Sequence, residues 1–239
     1  MELLQHLLSA DAAAPRLSVY NEADGTRMDF SAQTLDNWAS KIANMLLEEL
    51  DLEPGGEAHI RIDLPVSWQA AVIALGALAA GVDFDITDGT PRSNEAAGNT
   101  PAAGAPATDA PAVVFTSPES FAAGGVPGAD TVLVTQDPFG RGVVESGGEL
   151  PLGTIDFGPT VRFYGDQFYG RTTPLPQLFP TDFEAERVLS QGWQDFASFQ
   201  RAVLKPLAAG GSAVIVSGLC SADRLDEIAS NEKVTVRAS

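Results

Sequence analysis

Apolar residues Leu3, Leu4, Leu7 and Leu8 recur at helical spacing at the start of the chain, which predicts a short amphipathic helix. Residues 17–20 then read as a strand that returns through Ala23, Asp24 and Gly25 to residues 27–30, a β-hairpin. Ser31 follows as an N-cap, and Leu35, Trp38, Ala39, Ile42, Leu46 and Leu50 mark one face of a long helix. That helix ends before Pro54-Gly55-Gly56. Ala58, Ile60, Ile62 and Leu64 alternate with His59, Arg61 and Asp63, the period of a strand. A helix over about 66–80 and a strand over 82–86 complete a strand-helix-strand unit, whose crossover makes the two strands parallel.

The pattern lapses over 88–111, where Gly, Pro, Ala, Thr, Asn and Ser leave almost nothing apolar to bury, so an exposed flexible loop is expected. Strand character resumes at 112–115 and 131–135, with 141–145 a weaker candidate. The stretch 156–180 is rich in aromatics, Gly and Pro without a period; it reads either as irregular chain packed on a sheet or as an interaction surface. A helix over about 195–208 ends at Gly210-Gly211, and 213–217 is an apolar strand of the kind buried on both faces. A helix through 224–228 and a strand at 234–237 form another crossover unit. The expected fold is α/β, with largely parallel sheet layers and flanking helices. It forms a single domain over 1–239 with two possible subdomains, about 1–150 and 151–239.

Composition narrows the function classes. With 239 residues, 44% of them hydrophobic, the chain is long enough to bury a sizeable core. The net charge of -18 repels phosphate backbones and anionic lipid, so neither nucleic acid nor membrane is expected as a partner. The apolar run at 70–80 is well short of the ~20 residues of a membrane span. One cysteine, Cys220, excludes an intrachain disulfide, and no basic, continuously apolar leader opens the sequence; a cytoplasmic location is the expectation.

Two stretches carry a resemblance. Residues 30–83 run hairpin, long helix, Pro54-Gly55-Gly56, strand, and an apolar helix into Ala79-Ala80-Gly81. Within 186–218, Pro206-Leu207-Ala208-Ala209-Gly210-Gly211 leads into the apolar strand Ala213-Val214-Ile215-Val216. Both look like parts of the N-terminal large domain of the adenylate-forming (AMP-binding, ANL) superfamily, which includes acyl-CoA synthetases. The whole chain is similar to a small actinobacterial family distantly related to those enzymes, from which no activity carries over.

The resemblance implies a Gly-rich phosphate loop of the form Ser/Thr-Gly-Thr-Thr-Gly-x-Pro-Lys-Gly, and the nearest stretch is Phe115-Thr116-Ser117-Pro118-Glu119-Ser120. There Pro118 removes an N–H donor, Glu119 adds a repelling charge, and no Lys follows. An ordinary helix start capped by Ser117 is expected instead. The superfamily's later Tyr-Gly-x-Thr-Glu segment and C-terminal Lys have no counterpart; Phe163-Tyr164-Gly165-Asp166 precedes the place such a segment would take. What the resemblance implies is thus a scaffold without its reaction centre.

Other chemistry is sparse. His6 and His59 read as surface histidines, Cys220 as an inert thiol, and Asp109, Asp130, Asp156 and Asp166 as carboxylates without a motif. Trp193, Phe196 and Phe199 occupy the place where the resemblance puts an acyl pocket, so they are the candidate ligand cleft, with core packing as the other reading of aromatics at i, i+3 and i+6. No catalytic, cofactor-binding or metal-binding residue is assigned, and no cofactor is expected. The functional expectation is a non-catalytic adenylate-forming-like domain, a pseudoenzyme, that binds a protein partner or a small acyl-type ligand. The alternatives are an enzyme with an unfamiliar site or a residual nucleotide binder. A homodimer is expected, with the 156–180 segment as its contact or, equally, as a cap on its own subunit.

Overall fold

The computed structural model describes residues 1–89, 110–124 and 128–238. The loop expected over 88–111 falls, from 90 to 109, outside the described residues.

After α1 (Gln5–Asp11), the strands β1 (Pro15–Asn21) and β2 (Thr26–Ser31) form the antiparallel hairpin. Helix α2 (Ala32–Glu48) starts where Ser31 Oγ accepts the Thr34 N–H at 3.1 Å, a cap that contributes about 1 kcal/mol. Strand β3 (His59–Asp63), helix α3 (Trp68–Ala80) and strand β4 (Asp83–Thr87) form the crossover unit, with β3 and β4 parallel. Helix α3 is apolar on every side and buried along almost its whole length, as a helix held between layers must be. At Gly76 an added Cβ would lie 2.3 Å from Ile42 Cγ2, so the missing side chain is what lets α2 and α3 touch.

Strand β5 (Val113–Thr116), the one-turn helix α4 (Pro118–Ala122), β6 (Asp130–Leu133) and β7 (Thr154–Asp156) follow. The weak strand expected at 141–145 is not formed: residues 143–147 are a turn, and β6 pairs instead with β7. The reason lies in Asp156, whose carboxylate accepts the N–H groups of Val143 at 2.9 Å and Val144 at 3.3 Å and so removes them from any ladder. Helix α5 (Phe157–Phe163) and the short α6 (Leu175–Leu178) give the 156–180 segment more order than its composition suggests.

The last part holds β8 (Arg187–Ser190), α7 (Phe196–Phe199), a π-helical turn (Gln200–Leu204), α8 (Lys205–Ala208), β9 (Ser212–Ser217), α9 (Ala222–Asn231) and β10 (Val236–Arg237). The π turn sits just ahead of Pro206, whose ring would collide with the carbonyl four residues back in a regular α-helix; the extra residue in the turn relieves this.

Two five-stranded sheets result. The order β10-β8-β9-β1-β2 is parallel except for the hairpin, and the order β4-β3-β5-β6-β7 is wholly parallel. The first sheet joins strands from both ends of the sequence, and the second is built from 59–156. One large core runs through α1, α2, α3 and the inner faces of both sheets. A smaller one lies under α9, where Tyr20, Leu189, Val214, Val216 and Ile228 meet.

The 156–180 segment packs on its own subunit. Phe168, Leu175 and Phe179 enter the main core, while α2 grips the chain through Lys41 Nζ to the Tyr164 carbonyl at 2.6 Å and Asn44 Nδ2 to the carbonyls of Gly165 and Gln167, both at 3.0 Å. Phe163 and Tyr169 point to solvent.

Candidate functional site

In an open parallel sheet, ligands sit beyond the carboxyl ends of the strands where the strand order reverses. Here the chain steps from β3 to β4 on one side, then returns to β5 and continues to β6 and β7 on the other, which puts the switch point between β3 and β5. Their carboxyl ends are Asp63 and Thr116, paired in register. Asp63 Oδ1 accepts the Thr87 hydroxyl at 2.7 Å.

Beside this point opens a cleft of about 410 Å³, lined among others by Pro118, Glu119, Thr135, Gln136, Asp137 and Ser146. Its floor is the start of α4. Ser117 Oγ accepts the Ser120 N–H at 3.1 Å, and Thr116 and Ser117 are both 3% exposed, so the hydroxyls nearest the strand end serve the fold. The expected helix start capped by Ser117 is what the chain forms.

The far wall is the stretch after β6, braced at several points. Gln69 Nε2, from the first turn of α3, donates to the carbonyls of Thr135 at 3.1 Å and Asp137 at 2.9 Å. The Arg141 guanidinium donates to Asp137 Oδ2 through Nε at 2.9 Å and through its terminal nitrogen at 2.7 Å. These bonds hold the Asp137 carboxyl below the usual carboxylate range. Arg162 donates to both carboxylate oxygens of Glu145, at 2.6 and 2.5 Å, and holds that carboxyl low in the same way. Gly142 and Gly158 let this loop and α5 close up: a Cβ on Gly142 would lie 2.4 Å from the Asp156 carboxylate, and one on Gly158 would lie 2.5 Å from the Gly142 nitrogen. The cleft is open, and of its two lining carboxylates Glu119 and Asp137 the second is paired with Arg141; no Lys or Arg is among its lining residues.

Trp193 and Phe199 are buried in the main core with their rings edge to face at 5.0 Å. Phe196 is half-buried, 5.5 Å from Phe84 and 6.3 Å from Phe179 between ring centroids. His6 bonds the Leu207 carbonyl at 2.8 Å, while His59 lies 3.6 Å from Asp85 across the β3–β4 ladder, so the two histidines belong to different layers. Cys220 lies beside Glu22, and burial together with that charge pushes its thiol up, away from nucleophilic use. Asp156 is spent on loop N–H groups, Asp130 and Asp166 face solvent, and Asp109 lies outside the described residues. Among the described residues no three His, Cys, Asp or Glu side chains gather as a metal site requires. No helix among them is long and apolar enough to cross a membrane. The cleft residues Thr135, Gln136, Asp137 and Ser146 carried no motif; their one signal in the sequence was position, just past the end of an apolar strand.

Comparison with known proteins decides the family. No protein-family model matches the chain. A TIGR03089 family protein from Mycobacterium tuberculosis is 32% identical over 98% of this chain and 95% of its own length. The chain belongs to the TIGR03089 family. Solved structures add the fold. An acyl-CoA synthetase from Brucella canis superposes with a TM-score of 0.66 at 16% identity over 99% of this chain. An acetoacetyl-CoA synthetase from Streptomyces lividans gives 0.64 at 14% over 98%, and a fatty acid AMP ligase from Legionella pneumophila gives 0.60 at 11% over 100%. This TIGR03089 family chain spans less than half the length of those three, 47%, 41% and 44% respectively. At such identities the likeness is one of architecture: two mostly parallel five-stranded sheets with helices, arranged as in part of an adenylate-forming enzyme.

Proposed function

We propose that this TIGR03089 family protein acts by binding a small ligand and does not activate carboxylates. The observation that carries this reading is the chemistry of the rim at the switch point. Ser117 is used as a cap, Pro118 has no N–H to give, and Glu119 brings negative charge to the wall of the cleft, where Asp137 is already paired with Arg141. Polyphosphate needs the reverse, a row of free N–H groups and a cation. The cleft suits the uncharged or cationic polar end of a small acyl-type ligand, which Gln136 and Ser146 can meet with amide and hydroxyl groups.

A thermal-shift screen tests this. Mg-ATP, alone or with a panel of carboxylic acids, leaves the melting temperature unchanged, and pyrophosphate exchange stays at background. A neutral or cationic polar ligand at about 100 times its Kd adds about 2.7 kcal/mol, a rise of roughly 5–10 °C in a chain of this size. Exchange that depends on ATP and is lost in Thr116→Ala or Ser117→Ala would refute the proposal.

A further inference from the structure

An end strand of an open sheet turns half of its backbone N–H and C=O groups away from its only neighbour, and a strand of another chain can add there. The end strands here are β10 and β2 in the first sheet and β4 and β7 in the second. Strands β10 and β7 have two and three residues, too few to seat another strand. Strand β4 has five residues but carries Asp83 and Asp85 on one face, and a second copy paired about Phe84 or Asp85 would set like charge against like. Strand β2 has six residues and carries both signs of charge.

Which groups of β2 are free follows from its neighbours. The Glu22 N–H donates to the Ser217 carbonyl of β9 at 3.0 Å, so Tyr20 and Ser18, in step with Glu22, also turn their backbone groups to β9. Asn21, Val19 and Leu17 then turn theirs to β2, where they stand opposite Thr26, Met28 and Phe30. Arg27 and Asp29 therefore point their N–H and C=O groups away from β1, and no described residue takes them up. The side chains of these same two residues share one face of the sheet, 45% and 33% exposed. They pair with each other along the strand, while Arg27 also meets Glu232 and Asp29 accepts the Ser18 hydroxyl. Both charges are held in place at the edge and within reach of solvent.

We propose that β2 is a dimer edge, pairing antiparallel with β2 of a second copy about a two-fold axis at Met28. Such a contact must use one patch that complements itself. About Met28 the register sets Arg27 opposite Asp29 of the second copy and Asp29 opposite its Arg27, so opposite charges face each other on both sides of the axis. The same register brings together the backbone groups that are free, and each Arg27–Asp29 pair exchanges both of its hydrogen bonds. Charge and backbone thus select one register. A net charge of -18 opposes contact between copies over most of the surface, which favours the edge where the local charges cancel over β4, where they add. The inference does not rest on the ligand reading of the cleft.

Sedimentation equilibrium at micromolar concentrations tests this with a charge swap. The wild type is expected at twice the 25.0 kDa of one chain. Asp29→Arg sets Arg27 against another arginine and Arg27→Asp sets Asp29 against another aspartate, so each variant alone sediments as a monomer. An equimolar mixture of the two restores opposite charges at both pairs and with them the dimer mass. Amide hydrogen exchange of the wild type, followed by NMR, locates the contact. The Arg27 and Asp29 amides exchange about tenfold more slowly in concentrated than in dilute samples, whereas Met28, whose N–H already faces β1, changes far less. A wild type that stays monomeric, a dimer that survives both charge changes, a mixture that stays monomeric, or exchange at Arg27 and Asp29 that ignores concentration would each overturn the assignment. Should either variant not fold, the wild-type mass and the exchange at these two amides decide alone.

Discussion

Replacing Glu232 by Gln should unlock the C-terminal helix. Glu232 sits just past α9, is 8% exposed, and accepts the Tyr20 hydroxyl at 2.6 Å and Arg27 Nε at 2.8 Å, while Arg187 pairs with its other oxygen. One carboxylate thus joins three residues of the first sheet to the end of α9. Removing one partner of a fully buried ion pair costs about 3–5 kcal/mol because the other charge is stranded. Arg27 is 45% exposed and keeps Asp29 as a partner, so its share is small; Arg187, 17% exposed, carries most of the loss. The expected cost is about 2–3 kcal/mol, or roughly 4–12 °C in melting temperature at this chain length. Circular dichroism melts of wild type and E232Q measure it. The pH dependence provides a second check. Burial works against the Glu232 charge, but hydrogen bonds from Tyr20, Arg187 and Arg27 outweigh it and hold the carboxyl below the usual range. A carboxyl depressed in the folded state stabilises fully above its unfolded value, about 4.3, and loses that contribution as pH falls through its folded value. The gap between wild type and E232Q should therefore be full at pH 7 and close in acid. A gap under 2 °C at pH 7, or one that widens on acidification, would refute the reasoning.

Two further changes probe packing. Gly76→Ala forces a methyl onto Ile42 and should cost about 1–3 kcal/mol by overpacking, seen as a lower midpoint in urea with an unchanged slope; a neutral result would mean that α2 and α3 slide apart freely. Phe168→Ala should lose about 3–5 kcal/mol because that ring lies in the main core, whereas Tyr169→Ala, at 88% exposed, should stay within about 0.5 kcal/mol in the same assay; comparable losses would show that the segment packs otherwise.

Elements with a clear apolar pattern were legible in the sequence, the short strands β5 and β6 among them, and those without one were not. The hairpin, α2, β3, α3, β4 and β9 stand close to where alternation and caps put them. Strand β7 is three residues long, too brief for a period, and α5 holds a Gly and a Pro in its first turn. The grouping into sheets was also out of reach. Leu17 pairs with Ala213 in parallel register, and nothing local to either residue encodes a partner so distant in the chain. The same limit hid the cleft, because Thr135 and Ser146 become neighbours only when Asp156, Gln69 and Arg141 fold the intervening loop back.

The motifs that carry the likeness to acyl-CoA synthetases prove to be packing motifs, which explains why they report a fold and leave the chemistry open. In Pro206-Leu207-Ala208-Ala209-Gly210-Gly211, a Cβ on Gly211 would lie 2.1 Å from the Glu186 carbonyl oxygen, so only glycine allows β9 to start beside β8; Gly210 turns the chain with φ at 83°. In Ala79-Ala80-Gly81, Gly81 ends α3 in the left-handed conformation, φ 68°, and its carbonyl receives the Gly55 N–H at 2.7 Å from Pro54-Gly55-Gly56. Each signature thus answers a backbone demand of the two-sheet scaffold. The phosphate-loop positions answer none: past the strand end at Thr116 the chain enters α4 through a plain Ser117 cap, while β5 pairs with β3 and β6. A scaffold of this kind holds its glycines by steric necessity and leaves its rim free to change chemistry.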